Sequence, residues 1–202
     1  MEVTGIILAG GKNLRLGRNK ALEKIGGVTV IERVVSRLTP IVSQIIIVTA
    51  DGKNHLTPLI TAKFKADAYP GKGPLGGIYS GISASRTELN IAVACDMPFL
   101  NTTLLKHMLE LAPGFDAVVP RTRESLFEPL HAVYSRTCLP VIKNHLDSEK
   151  LSIRAFLADV KVRYIEDDEC RNYDPELLSF FNINRQSDLE LALKLASKER
   201  ER

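Results

Sequence analysis

Short β-rich runs recur along the chain at residues 4–8, 44–50, 63–68, 90–95, 116–119, 129–134, 160–165 and 180–183. Each has the length and make-up of a strand. Several, Ile91 to Ala94 among them, are apolar throughout, the pattern of strands covered on both faces. Helical periodicities lie between them. Val30, Val34, Val35 and Leu38 mark one apolar face, and Leu104, Leu105, Met108 and Leu109 mark another, entered through the cap candidates Asn101 and Thr102. Ser152 reads as the cap of a helix through Leu157. A last helix is expected from Ser187, with Glu190 as capping-box partner, burying Leu189, Ala192, Leu193 and Ala196 before residues 198–202 fray into solvent. The alternation predicts a three-layer α/β/α domain around a doubly wound, mostly parallel sheet. Such sheets bind ligands in the crevice outside the carboxyl ends of their strands. The irregular stretch 121–128 is the expected mobile segment.

Composition narrows the class. With 202 residues and 45% of them hydrophobic, the chain can bury a full core as one domain, 1–202. The net charge of +3 is small and dispersed, so neither a nucleic-acid footprint nor a membrane-surface patch is indicated. Cys95, Cys138 and Cys170 are odd in number and form no CxxC pair, which argues against a disulfide framework or zinc ribbon and for a reducing cytoplasm. No run is apolar enough to span a membrane, and no basic n-region precedes the first strand.

The candidate chemistry starts right after the first strand. Gly10 and Gly11 open a loop in which Lys12, Arg15, Arg18 and Lys20 follow within eleven residues. Glycines let main-chain N–H groups turn inward as an anion nest, and a polyphosphate would relieve the repulsion among four cations. It is not a Walker A loop, because no Gly-Lys-Ser/Thr follows at the required spacing. The plainer alternative is a surface loop with solvated lysines. Asp96 ends an apolar strand before Met97-Pro98, where a carboxylate could hold Mg²⁺ or merely form a turn. Asp67 ends the third strand; it could accept the N1 and N2 donors of guanine or pair with Lys63 or Lys65. Cys95 is expected on the far side of its strand as a packed thiol. Residues 71–76 also match GxGxxG, with Asp96 twenty residues on, which leaves a Rossmann-type NAD-dependent oxidoreductase as an alternative. No GxSxG, HExxH or Cys/His nucleophile pair is visible.

Leu8-Ala9-Gly10-Gly11 with Arg15, Gly17 and Lys20 resembles the signature of the molybdenum cofactor guanylyltransferases, nucleotidyltransferases of glycosyltransferase-A-like fold. The resemblance continues, in order, through Gly73-Pro74-Leu75-Gly76-Gly77, Cys95-Asp96-Met97-Pro98-Phe99, Pro129-Leu130 and Phe181-Asn182-Ile183-Asn184 with Asp188-Leu189. It implies transfer of GMP from GTP to the phosphate of molybdopterin or its molybdenum form, with pyrophosphate released. On that resemblance Leu8, Ala9, Gly10, Gly11, Lys20, Asp67, Gly73 and Asp96 would bind GTP, and Arg15, Lys20 and Asp96 would be catalytic. Asp96 would hold the cofactor Mg²⁺. Asn182 and Asn184, expected side by side on one face of a strand, would contact the metal or the acceptor, or simply satisfy main-chain groups. Residues 1–100 would form mainly the GTP half and 101–195 mainly the acceptor half, with His131, Arg121 and Arg123 as possible acceptor-side groups. Partners implied are GTP, the pterin acceptor and, transiently, enzymes that make or receive the cofactor. Departures exist: Val48-Thr49-Ala50-Asp51 lacks the usual Asn, Asn13 and Leu16 replace Ser and Met, and Arg185-Gln186-Ser187 replaces a Thr-Pro pair. A cytidylyltransferase for the same cofactor therefore stays open, as does a non-enzymatic nucleotide sensor on the same fold.

Overall fold

The computed structural model describes residues 2–10, 20–54, 56, 60–122 and 127–200. At its centre β1 (Val3–Leu8) lies between two parallel partners, β4 (Gln44–Thr49) and β6 (Leu89–Ala94). β5 (Lys63–Ala66) extends the sheet beyond β4. On the other side come β8 (His131–Ser135), β7 (Ala117–Arg121) and β9 (Val162–Glu166), giving the order β5-β4-β1-β6-β8-β7-β9. β8 alone runs against its neighbours in this sheet. A separate two-stranded hairpin pairs β2 (Lys24–Ile25) with β3 (Val28–Thr29).

Neighbouring residues of β1 feed opposite layers. Ile7 joins the core under α1 (Val30–Leu38) and α3 (Thr102–Leu111), with Val34, Leu38, Leu105 and Met108. Ile6 joins the other face, under α2 (Gly73–Ala84), α4 (Cys138–Asp147) and α5 (Ile153–Ala158), with Leu75, Ile78, Ile142 and Phe156. This is why the central strands read as apolar throughout. The close seat of α2 depends on Gly81, where an added Cβ would meet Ile6 Cγ2 at 2.3 Å.

The start signals of the helices are local. Thr29 and Glu32 form a reciprocal capping box at α1. Asn101 Oδ1 accepts from the Thr103 and Leu104 N–H groups, and Ser152 Oγ accepts from Ala155 N, as the sequence predicts. The last helix, α7 (Gln186–Arg200), differs from expectation. Its entry is held by the Asp188 carboxylate, which accepts from Asn184 N and Arg185 N, instead of a Ser187–Glu190 box. Leu193 is 44% exposed, because Leu189, Ala192 and Ala196 already complete the buried stripe and residue 193 turns out of it. That stripe packs with Ile25, Phe99 and Ile183 in a small satellite core.

Residues 180–183 are not a strand. A 3₁₀ turn (Leu178–Phe180) follows Leu177 in the left-handed region at φ 54°, and the chain then crosses the end of β6. The remaining described α-helix, α6 (Asp167–Arg171), follows β9 directly. Among the described residues no helix is long and apolar enough to cross a membrane. Residues 123–126 of the expected mobile segment lie outside the described residues.

Candidate active site

The sheet reverses its winding at β1, between β4 and β6, and the carboxyl ends of β1 and β6 open there onto a cavity of about 650 Å³. Main-chain bonds hold its floor. Ala9 N donates to Val48 O, Cys95 N to Leu8 O and Ala94 N to Leu130 O. Leu8, Gly10, Asp67, Gly73, Asp96, Asn182 and Asn184 all line this space. Ala9 packs against the core beside it. Gly11 and Arg15, together with Lys12, Arg18 and Arg123, lie outside the described residues.

Lys20 begins the short 3₁₀ turn (Lys20–Leu22) and is buried. Its ammonium donates to Asn184 Oδ1 at 3.0 Å, across 164 residues of sequence. The same C-terminal segment is tied to the metal candidate, since Ile183 N donates to Asp96 O at 3.0 Å. Burial pushes the Asp96 carboxyl above its ordinary value, and the nearby positive charge of Lys20 opposes that rise. Lys20, the end of β6 and the Asn-Ile-Asn segment thus meet at one point. No local pattern in the sequence could have paired Lys20 with Asn184.

Asp67 stands just past β5, with its N–H bonded to Thr49 O. Its carboxylate is not paired with Lys63 or Lys65. Oδ1 accepts instead from Ser80 Oγ at 2.9 Å and from Tyr69 N at 3.0 Å, both inside the fold. Glycine-rich residues 71–77 do not form a dinucleotide loop at the first strand. They follow the edge strand β5 and become the start of α2, where Gly73 takes φ +67° facing open space in the cavity. A side chain at that φ would be strained and would occupy the ligand's room.

Asn182 and Asn184 also line a second cavity of about 910 Å³, with Phe180, Phe181, Arg171, Arg185 and Asp167. The two amides are not matched neighbours on a strand. Asn182 Nδ2 donates to Phe180 O, whereas Asn184 faces Lys20. The two cavities therefore meet at this segment.

Other candidates fall away. His131 is fully buried, sits edge-on to Phe180, and neither ring nitrogen has a hydrogen-bond partner among the described residues. Burial holds its pKa down to about 4. Arg121 is exposed and paired with Glu166 at 2.6 Å, with its guanidinium over Tyr164. Cys95 is a packed thiol as expected, but it borders the same cavity as Asp96 and does not lie wholly on the far side of its strand. Burial pushes it up to about 12, so it is no nucleophile at neutral pH.

The MobA-like NTP transferase domain model matches residues 5–166. A relative named molybdenum cofactor guanylyltransferase from Desulfosudis oleivorans is 38% identical, covering 94% of this chain and 94% of the relative. One from Methanosarcina mazei, named "Probable molybdenum cofactor guanylyltransferase", is 38% identical over 93% of this chain and 88% of its own length. The crystal structure of molybdopterin-guanine dinucleotide biosynthesis protein A from Archaeoglobus fulgidus superposes with a TM-score of 0.84. It is 29% identical and covers 96% of this chain and 99% of that one.

Proposed function

Because the chain belongs to the MobA-like NTP transferase family, we propose that it is a guanylyltransferase moving GMP from GTP onto the phosphate of molybdopterin or its molybdenum form. The observation that carries the reading is the contact of Lys20 with Asn184 beside Asp96. It brings a cation of the glycine-rich loop, a carboxylate and the rim of a second cavity together at the switch point of the sheet.

In this reaction a phosphate oxygen of the acceptor attacks the α-phosphorus of GTP in line. A new P–O bond forms, the bond between the α-phosphorus and the bridging oxygen breaks, and pyrophosphate leaves with the electron pair. The attacking oxygen is already ionised at neutral pH, so alignment and charge stabilisation matter more than a general base. The site is composed accordingly: His131 is buried away and Cys95 is packed in the core. Lys20, together with Arg15, neutralises charge on the triphosphate, and Asn184 holds the Lys20 ammonium in place until phosphate oxygens take it over. Gly10 and Gly73 let main chain approach the nucleotide, and Asp67 meets the guanine edge. The second cavity, with aromatic rings and the rim formed by Asn182 and Asn184, takes the pterin acceptor.

Asp96 suits a magnesium ion. Mg²⁺ takes one or two protein carboxylates and leaves its other positions to phosphate and water. Among the described residues no group of three acidic, His or Cys side chains forms a closed cage, while Asp96 presents a half-buried carboxylate with only Lys20 as a near countercharge. When bound there, Mg²⁺ supplies charge compensation for the phosphate oxygens of GTP. The proposed place of action is the cytoplasm.

A thermal-shift panel tests nucleotide and class together. GTP with Mg²⁺ should raise the melting temperature more than CTP, ATP, UTP or NAD. Stabilisation by CTP alone would overturn the base assignment, and by NAD alone the class. Asp96→Asn should keep the fold and lose nearly all turnover; normal turnover in that variant would refute the metal assignment.

A further inference from the structure

We infer that Ser80, a buried hydroxyl on α2, is a positioning residue for base selection: it fixes the Asp67 carboxylate so that one oxygen is reserved for the nucleobase. The inference rests on the assignment of Asp67 to guanine, and the experiment below separates the two.

Ser80 is 1% exposed and sits one helical turn beyond Gly76. Its oxygen accepts from Ala68 N at 2.8 Å, which clamps the turn after β5 to the helix. Its single proton has two acceptors in reach, Gly76 O at 2.8 Å and Asp67 Oδ1 at 2.9 Å. A serine inside a helix ordinarily returns its proton to the carbonyl four residues back. Here a carboxylate competes, and a charged acceptor makes the stronger bond. Tyr69 N adds a second donor to the same Oδ1 at 3.0 Å. The close approach is possible because residue 76 is glycine: a Cβ there would lie 2.8 Å from Tyr69 O and 3.3 Å from Asp67 Oδ1.

With two donors on Oδ1, that oxygen is filled. Oδ2 has no hydrogen-bond donor among the described residues, and Asp67 lines the nucleotide cavity. An acceptor locked in rotamer, with one free oxygen at the cavity wall, favours a base that presents adjacent N–H donors. Guanine does so through N1 and the 2-amino group, hypoxanthine keeps only N1–H, and cytosine presents an acceptor at N3. Loss of the Ser80 donor would free Asp67 to rotate, and selectivity for the 2-amino group would fall with it.

Calorimetric titration of the full chain with GTP and with ITP, each with Mg²⁺, tests this in wild type, Ser80→Ala, Ser80→Cys and Asp67→Asn. Wild type should prefer GTP. Ser80→Ala should weaken GTP binding by about tenfold, weaken ITP binding less, and so shrink the ratio of the two. Ser80→Cys, which keeps a weak donor, should retain part of the preference and serves if the alanine variant does not fold. A purely structural role would lower the melting temperature and weaken both nucleotides equally, leaving the ratio unchanged. That result in either Ser80 variant, with Asp67→Asn losing the preference, overturns the role of Ser80 alone. An unchanged ratio in Asp67→Asn, or no preference in wild type, overturns the underlying assignment of Asp67.

Discussion

Replacing His131 by leucine should remove an acid-sensitive element from the floor of the domain. His131 lies at the start of β8, paired in register with Val93 two residues before Cys95, and its ring is fully buried against Phe180. Neither ring nitrogen has a partner among the described residues, so its neutral form is strongly preferred in the folded state. The pKa falls from an ordinary 6.5 to about 4. At about 1.4 kcal/mol per unit, that depression corresponds to about 3 kcal/mol of pH-linked stability. Above pH 6.5 both folded and unfolded chains carry a neutral ring and the full contribution is present. As pH falls from 6.5 towards 4 the unfolded chain takes up the proton first, and stability is lost. Urea unfolding from pH 7.5 to 4 measures it directly. Burial also raises the carboxyls of Asp96 and Asp174, but they act equally in both proteins. The difference between His131→Leu and wild type should thus be flat above pH 7 and grow by about 3 kcal/mol in favour of the variant by pH 4. Parallel stability curves for the two proteins would refute the reasoning.

Two further outcomes follow from the packing and the site. Gly81→Ala should cost about 2 kcal/mol, with a fall in melting temperature on the order of 5 °C, because the new Cβ meets the buried Ile6 side chain at 2.3 Å; an unshifted melting curve would contradict the close seat of α2 on β1. Lys20→Met should leave secondary structure by circular dichroism unchanged and weaken GTP binding at least tenfold, a charge-assisted contact to phosphate being worth about 1.5–3 kcal/mol; unaltered GTP affinity would remove Lys20 from the triphosphate site.

Different parts of the molecule were legible to different degrees, for physical reasons. The core strands and Asp96 could be read because two-sided burial leaves continuous apolar runs, and a carboxylate directly after such a run stands at the crevice. α2 could not be read as a helix. Gly73, Gly76, Gly77 and Gly81 are poor helix formers and nearly every face of it is buried, so no polar stripe marks its period. Residues 180–183 imitate a strand because apolar and amide side chains alternate from Phe181 to Asn184. The left-handed Leu177 and the Asn182-to-Phe180 bond turn the chain aside before a ladder can form. The contact of Lys20 with Asn184 and the grip of Ser80 on Asp67 join distant segments and exist only once the sheet has assembled.

The central claim is that this site joins GMP to a pterin phosphate. Purified protein incubated with molybdopterin, GTP and Mg²⁺, followed by mass spectrometry of the products, addresses it directly. The account predicts an acceptor heavier by one GMP residue, one pyrophosphate per dinucleotide, and no comparable product with CTP. GTP bound but returned unchanged, GTP merely hydrolysed, or a cytidine dinucleotide formed in its place would contradict it.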